Sequence, residues 1–217
     1  MTGNSFIDDG HDDFANDKEI IKERKRQAEF LRIRDTSIKN VVTAFNATTS
    51  SHRNLKHFLL HKSVATPFVF ESYEGRWRNR EFYFCIFSYV SAVHAGRVND
   101  SGSDYYFAGV FDLPKTYPHT IAQPETIALK IENLVTRADV DFEDAKKFSR
   151  KFHLVTKDRQ ALDILFFNKD LDRIAEQPQA EFELNDKQCY FRAGRKPVSI
   201  EEADSFIELA KILLEVL

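Results

Sequence analysis

Glycine is scarce in this chain: seven residues in 217, widely separated. Phosphate-cradling loops cluster glycines so that backbone N–H groups can approach a ligand, and neither G-x-x-x-x-G-K-[ST] nor G-x-G-x-x-G occurs. The G-x-S-x-G elbow of serine hydrolases is absent as well. No motif nominates a cofactor. Cysteine is nearly missing: Cys85 and Cys189 are the only two, too few for a disulfide scaffold. Each lies in an apolar or aromatic run, which marks a buried, reduced thiol of a cytoplasmic protein rather than a nucleophile. Positive charge is not in excess. A net charge of −3 argues against a protein built mainly to hold a polyanion. No apolar run approaches the roughly 20 residues a membrane-spanning helix needs. The opening MTGNSFIDDGHDDF has neither the basic nor the apolar region of a secretory signal.

What is abundant is phenylalanine, with twenty residues against one Trp and one Met. Aromatic side chains bury large areas and favour pleated strands, so the excess points to a core built around a sheet. In REFYFCIFSYV, Phe82, Phe84 and Ile86 alternate with Tyr83, Cys85 and Phe87. Both faces of that strand are apolar, which predicts cover on two sides. The preceding TPFVFESYEG supplies a neighbouring strand. After the turn-rich GRVNDSGSD, the run YYFAGVFDL completes an antiparallel pair.

Around this centre, residues 1–16 read as a mobile acidic terminus. From Asp17, DKEIIKERKRQAEFLRIRD is rich in helix formers and carries only a narrow apolar stripe of Ile20, Ile21, Ala28, Phe30 and Leu31, the pattern of a helix that lies on something rather than inside it. One or two short helices follow, interrupted at Thr48–Ser51. LPKTYPH, with two prolines, predicts an irregular crossing, and Pro124–Glu125 predicts the first turn of a helix through TIALKIENLV, with a short strand as the rival. KFHLVTK predicts a strand. Asp158 should cap a helix through RQALDILFF, with a second short helix near Lys169 to Glu176. EFEL and QCYFRAG, divided by Asn185, Asp186 and Lys187, predict a hairpin. Ser199 and Glu202 have capping-box spacing ahead of a terminal helix whose apolar face is Ala203, Phe206, Ile207, Ala210, Leu213, Leu214 and Leu217.

Three groups of residues could carry chemistry. His57 and His61 are spaced i,i+4, like the paired histidines of H-E-x-x-H zinc enzymes, with His52 nearby. The intervening Phe58, Leu59 and Leu60 provide no general base, so a solvated or packed histidine pair is the competing explanation. Asp139, Asp141 and Glu143 could offer oxygen ligands to a divalent cation, although the run lacks the turn glycine and closing glutamate of a calcium loop. Arg76, Trp77, Arg78 and Arg80 interleave an aromatic with cations, a composition that grips nucleic acid but equally keeps a sheet edge soluble.

The series YEGRWRNREFYFCIFSY, LPKTYPHTIAQPE and DFEDAKKFSRKFHLVTKDRQALDILFFNKDL, followed by the terminal helix, resembles an uncharacterised bacterial family, a domain of unknown function. Many members carry transmembrane helices before a soluble α+β domain. The likeness covers about residues 65–217, with Phe148, Phe152, Asp158, Ala161 and Leu165 as its best-matched positions. It implies structural roles for them and supplies no catalytic residue. Here the charged segment Asp17–Asp35 stands where those relatives have membrane helices.

The sequence therefore predicts an α+β fold, a mainly antiparallel sheet with packed helices. Residues 1–40 are expected to form a flexible acidic terminus and charged helical arm, and 41–217 a single α+β domain. The expected function is a non-catalytic interaction, regulatory or scaffolding module with a protein partner. A metal-dependent hydrolase or nuclease using the histidine or acidic clusters is one alternative. Peripheral membrane association through KERKR is the other.

Overall fold

The computed structural model describes residues 12–63, 68–90, 103–125 and 141–217. In chain order the elements are α1 (Asp12–Ala44), β1 (Thr48–Thr49), α2 (Leu59–Lys62), β2 (Phe68–Trp77), β3 (Arg80–Val90), β4 (Ser103–Pro124), α3 (Lys146–Lys151), β5 (Phe152–Thr156), α4 (Arg159–Phe166), α5 (Leu171–Ile174), β6 (Glu181–Arg192) and α6 (Ile200–Val216). The fold is α+β, with an N-terminal helix and a six-stranded antiparallel sheet.

β4 organises the sheet. Val110 is opposite Tyr83 of β3 on one edge and Tyr190 of β6 on the other. Further along, Ile121 is opposite Val155 of β5 and Glu183 of β6. One 22-residue strand thus carries β3 and then β5 on one side, with β6 accompanying it on the other. The β4–β6 register slips between Asp112 and Tyr117 and again between Tyr117 and Thr120. Pro114 and Pro118 fall in that irregular stretch, where a strand tolerates a missing N–H donor. Opposite them Asp186 has φ 55°. The ribbon bends sharply there, because the side chains of Glu181 and Arg192, eleven residues apart in β6, are in contact. Fully extended, such a stretch would span about 36 Å.

Both faces of the sheet are covered, as the alternation in REFYFCIFSYV predicts. Phe82, Phe84 and Ile86 join the core under α6, the C-terminal half of α1 and α3–α5. Tyr83, Cys85 and Phe87 join a second cluster with Leu55, Phe58 and Leu60 from the segment around α2. Gly109 is required by a close approach: a Cβ there would collide with the Phe191 ring on the adjacent strand. Local start signals also act as expected. Ser199 Oγ accepts from the Glu202 N–H at 3.2 Å to start α6, and Asp158 Oδ1 accepts from the Ala161 N–H at 3.0 Å to start α4.

Four expectations need correction. EFEL and QCYFRAG do not pair with each other; they are the two ends of β6, which pairs with β4 throughout. LPKTYPH is the bent middle of β4 rather than a connection outside the sheet. Pro124 closes β4 instead of opening a helix, and residues 126–140, with the rest of that expected helix, lie outside the described residues. The helix beginning in the Asp17 region runs to Ala44 without a break, so arm and domain share one helix across residue 40, with Ser37, Ile38 and Val41 buried. Of the terminus expected to be mobile, 1–16, residues 1–11 fall outside the described residues and 12–16 open α1; the GRVNDSGSD loop also falls outside them, apart from its last two residues, which begin β4.

Candidate functional site

The histidines do not converge. α2 is a single turn. His57 precedes it and its Nε2 lies 3.2 Å from Gln188 Oε1 on the surface. His61 is buried against Phe87 and Tyr190, and burial holds its pKa below the ordinary histidine range. Among the described residues no group of three His, Cys, Asp or Glu side chains is placed to hold a metal ion. Asp141 and Glu143 are exposed at a cleft of about 700 Å³, which Asp144, Asp163, Arg159 and Lys169 also line. With Asp170, its charged lining is mostly acidic, relieved by Arg159 and Lys169. Asp139 lies outside the described residues.

Arg76, Trp77, Arg78 and Arg80 gather at the β2–β3 turn, where Arg78 adopts the left-handed conformation at φ 53°. Arg76 pairs with Glu81. Trp77 packs edge-on against Phe45 at 6.4 Å, with Lys211 Nζ 5.0 Å from its ring centre and its indole N–H 3.4 Å from Glu215 Oε1. Arg78 lies 2.8 Å from the same Glu215, whose other oxygen binds Arg173 at 2.9 Å. These contacts hold the Glu215 carboxyl below the usual carboxylate range, the Arg173 hydrogen bond most of all. Arg80 donates to Leu214 O at 2.7 Å and Asp112 O at 2.8 Å, its guanidinium stacked over Phe111. It therefore satisfies an orphan carbonyl at the negative end of α6. The turn is tied to α6 by its own aromatic and cationic side chains.

The densest buried polar cluster lies elsewhere, on the α2 side of the bent ribbon. Glu181 and Glu183 are fully buried and Arg192 is 1% exposed. Glu181 binds Arg192 with one oxygen and Arg195 Nε with the other, at 2.6 Å. Glu183 Oε2 accepts from the Leu60 N–H at 2.8 Å, while its Oε1 lies 2.7 Å from His119 Nε2. Arg192 also reaches Ser63 Oγ at 3.3 Å. Glu183 and Arg192 thus grip the two ends of the turn that contains α2. All four carboxylate oxygens have donors, an arrangement for support rather than for acid–base work, which needs a lone pair or proton turned toward a substrate. His61 Nδ1, Gln123 Nε2, Tyr190 Oη and Arg195 Nη2 are buried around these groups without a hydrogen-bond partner among the described residues. The residues that sequence reasoning missed are Glu181, Glu183, Arg192 and His119. The signal was the strict charge–apolar alternation of EFEL.

The two thiols sit in the core. Burial pushes Cys85 up to about 12 and Cys189 well above the ordinary thiol range. Because the thiolate is the reactive form, neither should react with an aromatic disulfide reagent in the folded protein, and both should react on unfolding. One thiol titrating rapidly under native conditions would contradict this.

The outer half of α1 is built differently from the rest. Every residue from Asp17 to Glu29 is exposed. Ile20 and Ile21 stand 45% and 53% open to solvent, and Leu31 is exposed about three turns further on. The chain gains packing from Phe30 on, where that ring meets Tyr105 at 6.1 Å, and then through Ile38, Val41 and Phe45. No helix among the described residues is long and apolar enough to cross a membrane. Comparison with family models, with curated proteins and with solved structures finds no match.

Proposed function

We propose that this chain is a non-catalytic, cytoplasmic interaction module of the regulatory or scaffolding kind, whose partner seats on the outer half of α1. The observation that carries the reading is the exposed stretch Asp17–Glu29 with Ile20 and Ile21 bare. These turns of α1 extend beyond the packed half of the helix without tertiary support, from which most helical stability comes in proteins, so docking onto a partner offers them their largest gain in stability. The resemblance of residues 65–217 to a soluble domain that follows membrane anchors fits a module whose N-terminal segment sets where it sits. A metal-dependent hydrolase or nuclease has no comparable observation behind it. A membrane surface would need a broader apolar face than Ile20, Ile21 and Leu31 provide.

The test is site-specific photo-crosslinking in cells. A photoreactive side chain at Ile21 should give a discrete protein adduct, while the same group at Ile164 on α4, which is more exposed still, should not. Ile20→Glu combined with a photoreactive group at position 24 should lose the adduct while leaving thermal unfolding unchanged. No adduct from the arm, or an identical pattern from Ile164, would overturn the reading.

A further inference from the structure

We infer that the partner of α1 is a second copy of the same helix, running antiparallel, with the two-fold axis between Ile20 and Ile21. This rests on the arm reading above and names its partner. Asp17, Ile20, Ile21 and Arg24 are spaced i, i+3, i+4 and i+7, which puts them on one face of α1. Within one chain Asp17 and Arg24 are about 10 Å apart along the helix axis, too far to pair. Neighbouring charges of α1 are matched locally, Glu23 with Arg26 at 3.7 Å and Glu29 with Arg32 at 2.7 Å, whereas Asp17 and Arg24 take part in no ion pair among the described residues.

The order of charges supplies the complement. Asp17-Lys18-Glu19-Ile20-Ile21-Lys22-Glu23-Arg24 reverses sign on reflection through the isoleucine pair: Asp17 mirrors Arg24, Lys18 mirrors Glu23, and Glu19 mirrors Lys22. Two copies crossing antiparallel at that point set Ile20 of each on Ile21 of the other and Asp17 of each beside Arg24 of the other. A parallel pair would put Asp17 on Asp17 and Arg24 on Arg24, and like charges repel. A single helix crossing buries far less than the roughly 1,200 Å² of a stable interface, so the pairing is reversible, concentration-dependent and weakened by salt.

Sedimentation velocity of the full chain over a range of micromolar concentrations, at low and high salt, tests this. The unaltered protein should form a dimer that loosens as salt rises. Asp17→Arg and Arg24→Asp should each weaken it about tenfold or more, because each replaces two attractive contacts by two repulsive ones. Two restorations test the charge complement, and the first of them is specific to the antiparallel geometry. The chain carrying both changes should dimerise again, and an equimolar mixture of the two single variants should form a mixed dimer, one face being all cation and the other all anion. All four positions are exposed, so melting temperatures should not move.

A monomer at every concentration, single variants that dimerise as well as the original, or a mixture that fails to pair would each overturn the self-pairing. If the arm adduct at Ile21 is a different protein while the chain stays monomeric, self-pairing is wrong and the arm reading stands. If the arm gives no adduct at all, both fall.

Discussion

Glu181→Ala should destabilise the domain by about 3–5 kcal/mol, the usual cost of leaving one partner of a buried ion pair uncompensated. Arg192 is almost wholly buried and, among the described residues, would keep only the Ser63 hydroxyl at 3.3 Å. Against a typical total stability of about 5–15 kcal/mol, this is enough to unfold a large share of the protein at physiological temperature. The loss should also reach the α2 turn, because Arg192 holds one end of it, and amide exchange around Leu60–Ser63 should quicken. Replacing both partners, Glu181→Leu with Arg192→Met, should recover most of the stability, since packed apolar groups of similar volume carry no desolvation penalty. Equilibrium denaturation of the two single variants and the double variant measures all three. A Glu181→Ala protein as stable as the original would show that water enters freely and that the charges are not held dry.

Phe206→Ala should cost about 3–5 kcal/mol through lost contact and the cavity left behind. Phe206 is the ring through which α6 reaches the sheet. It stacks on Phe191 at 5.3 Å and Phe107 at 5.2 Å, and approaches Phe84 at 6.1 Å. The Phe191 ring is in turn the one that forbids a side chain at Gly109, so collapse of β6 toward the vacated space is restricted and the cavity should persist. Phe167→Ala, at a side chain 69% exposed, should change stability by no more than about 0.5 kcal/mol. Urea midpoints with an unchanged m-value would confirm the contrast. Equal effects of the two substitutions would mean that the aromatic stack contributes no packing beyond ordinary surface contact.

The parts of this fold that the chain announces are those governed by neighbouring residues. Ser199 and Asp158 start helices because a hydroxyl or carboxylate three residues ahead of an N–H reaches it without help from the rest of the molecule. Two-sided burial of β3 was legible because alternation with both phases apolar leaves no wet face. Alternation is silent, however, on which polar residues stay dry. In EFEL the alternation puts Phe182 and Leu184 in the main core, yet the opposite face is buried too, so Glu181 and Glu183 went inside rather than to solvent. What holds Glu181 there is Arg192, eleven residues on, and the bend that brings it back, while Glu183 meets the Leu60 N–H and His119. That bend was hidden for a related reason. Pro114 and Pro118 normally end strands, but β4 passes through them where its register with β6 slips, and no local pattern separates that case from a loop. For the candidate surface the apolar stripe of Ile20, Ile21 and Leu31 was readable. That it stays uncovered depends on where α1 leaves the domain, which only the three-dimensional structure defines.

The doubled ribbon has a consequence for how the chain must be assembled in time. Val110 meets Tyr190 across 80 positions of sequence, and Ile121 meets Glu183 across 62. Such distant pairings lose loop entropy before any contact compensates, and folds dominated by them refold on the millisecond-to-second scale. Until β6 arrives, one flank of a 22-residue strand is left unzipped beside bare aromatic rings, so the nascent molecule is most adhesive in the interval between completing β4 and emerging with β6.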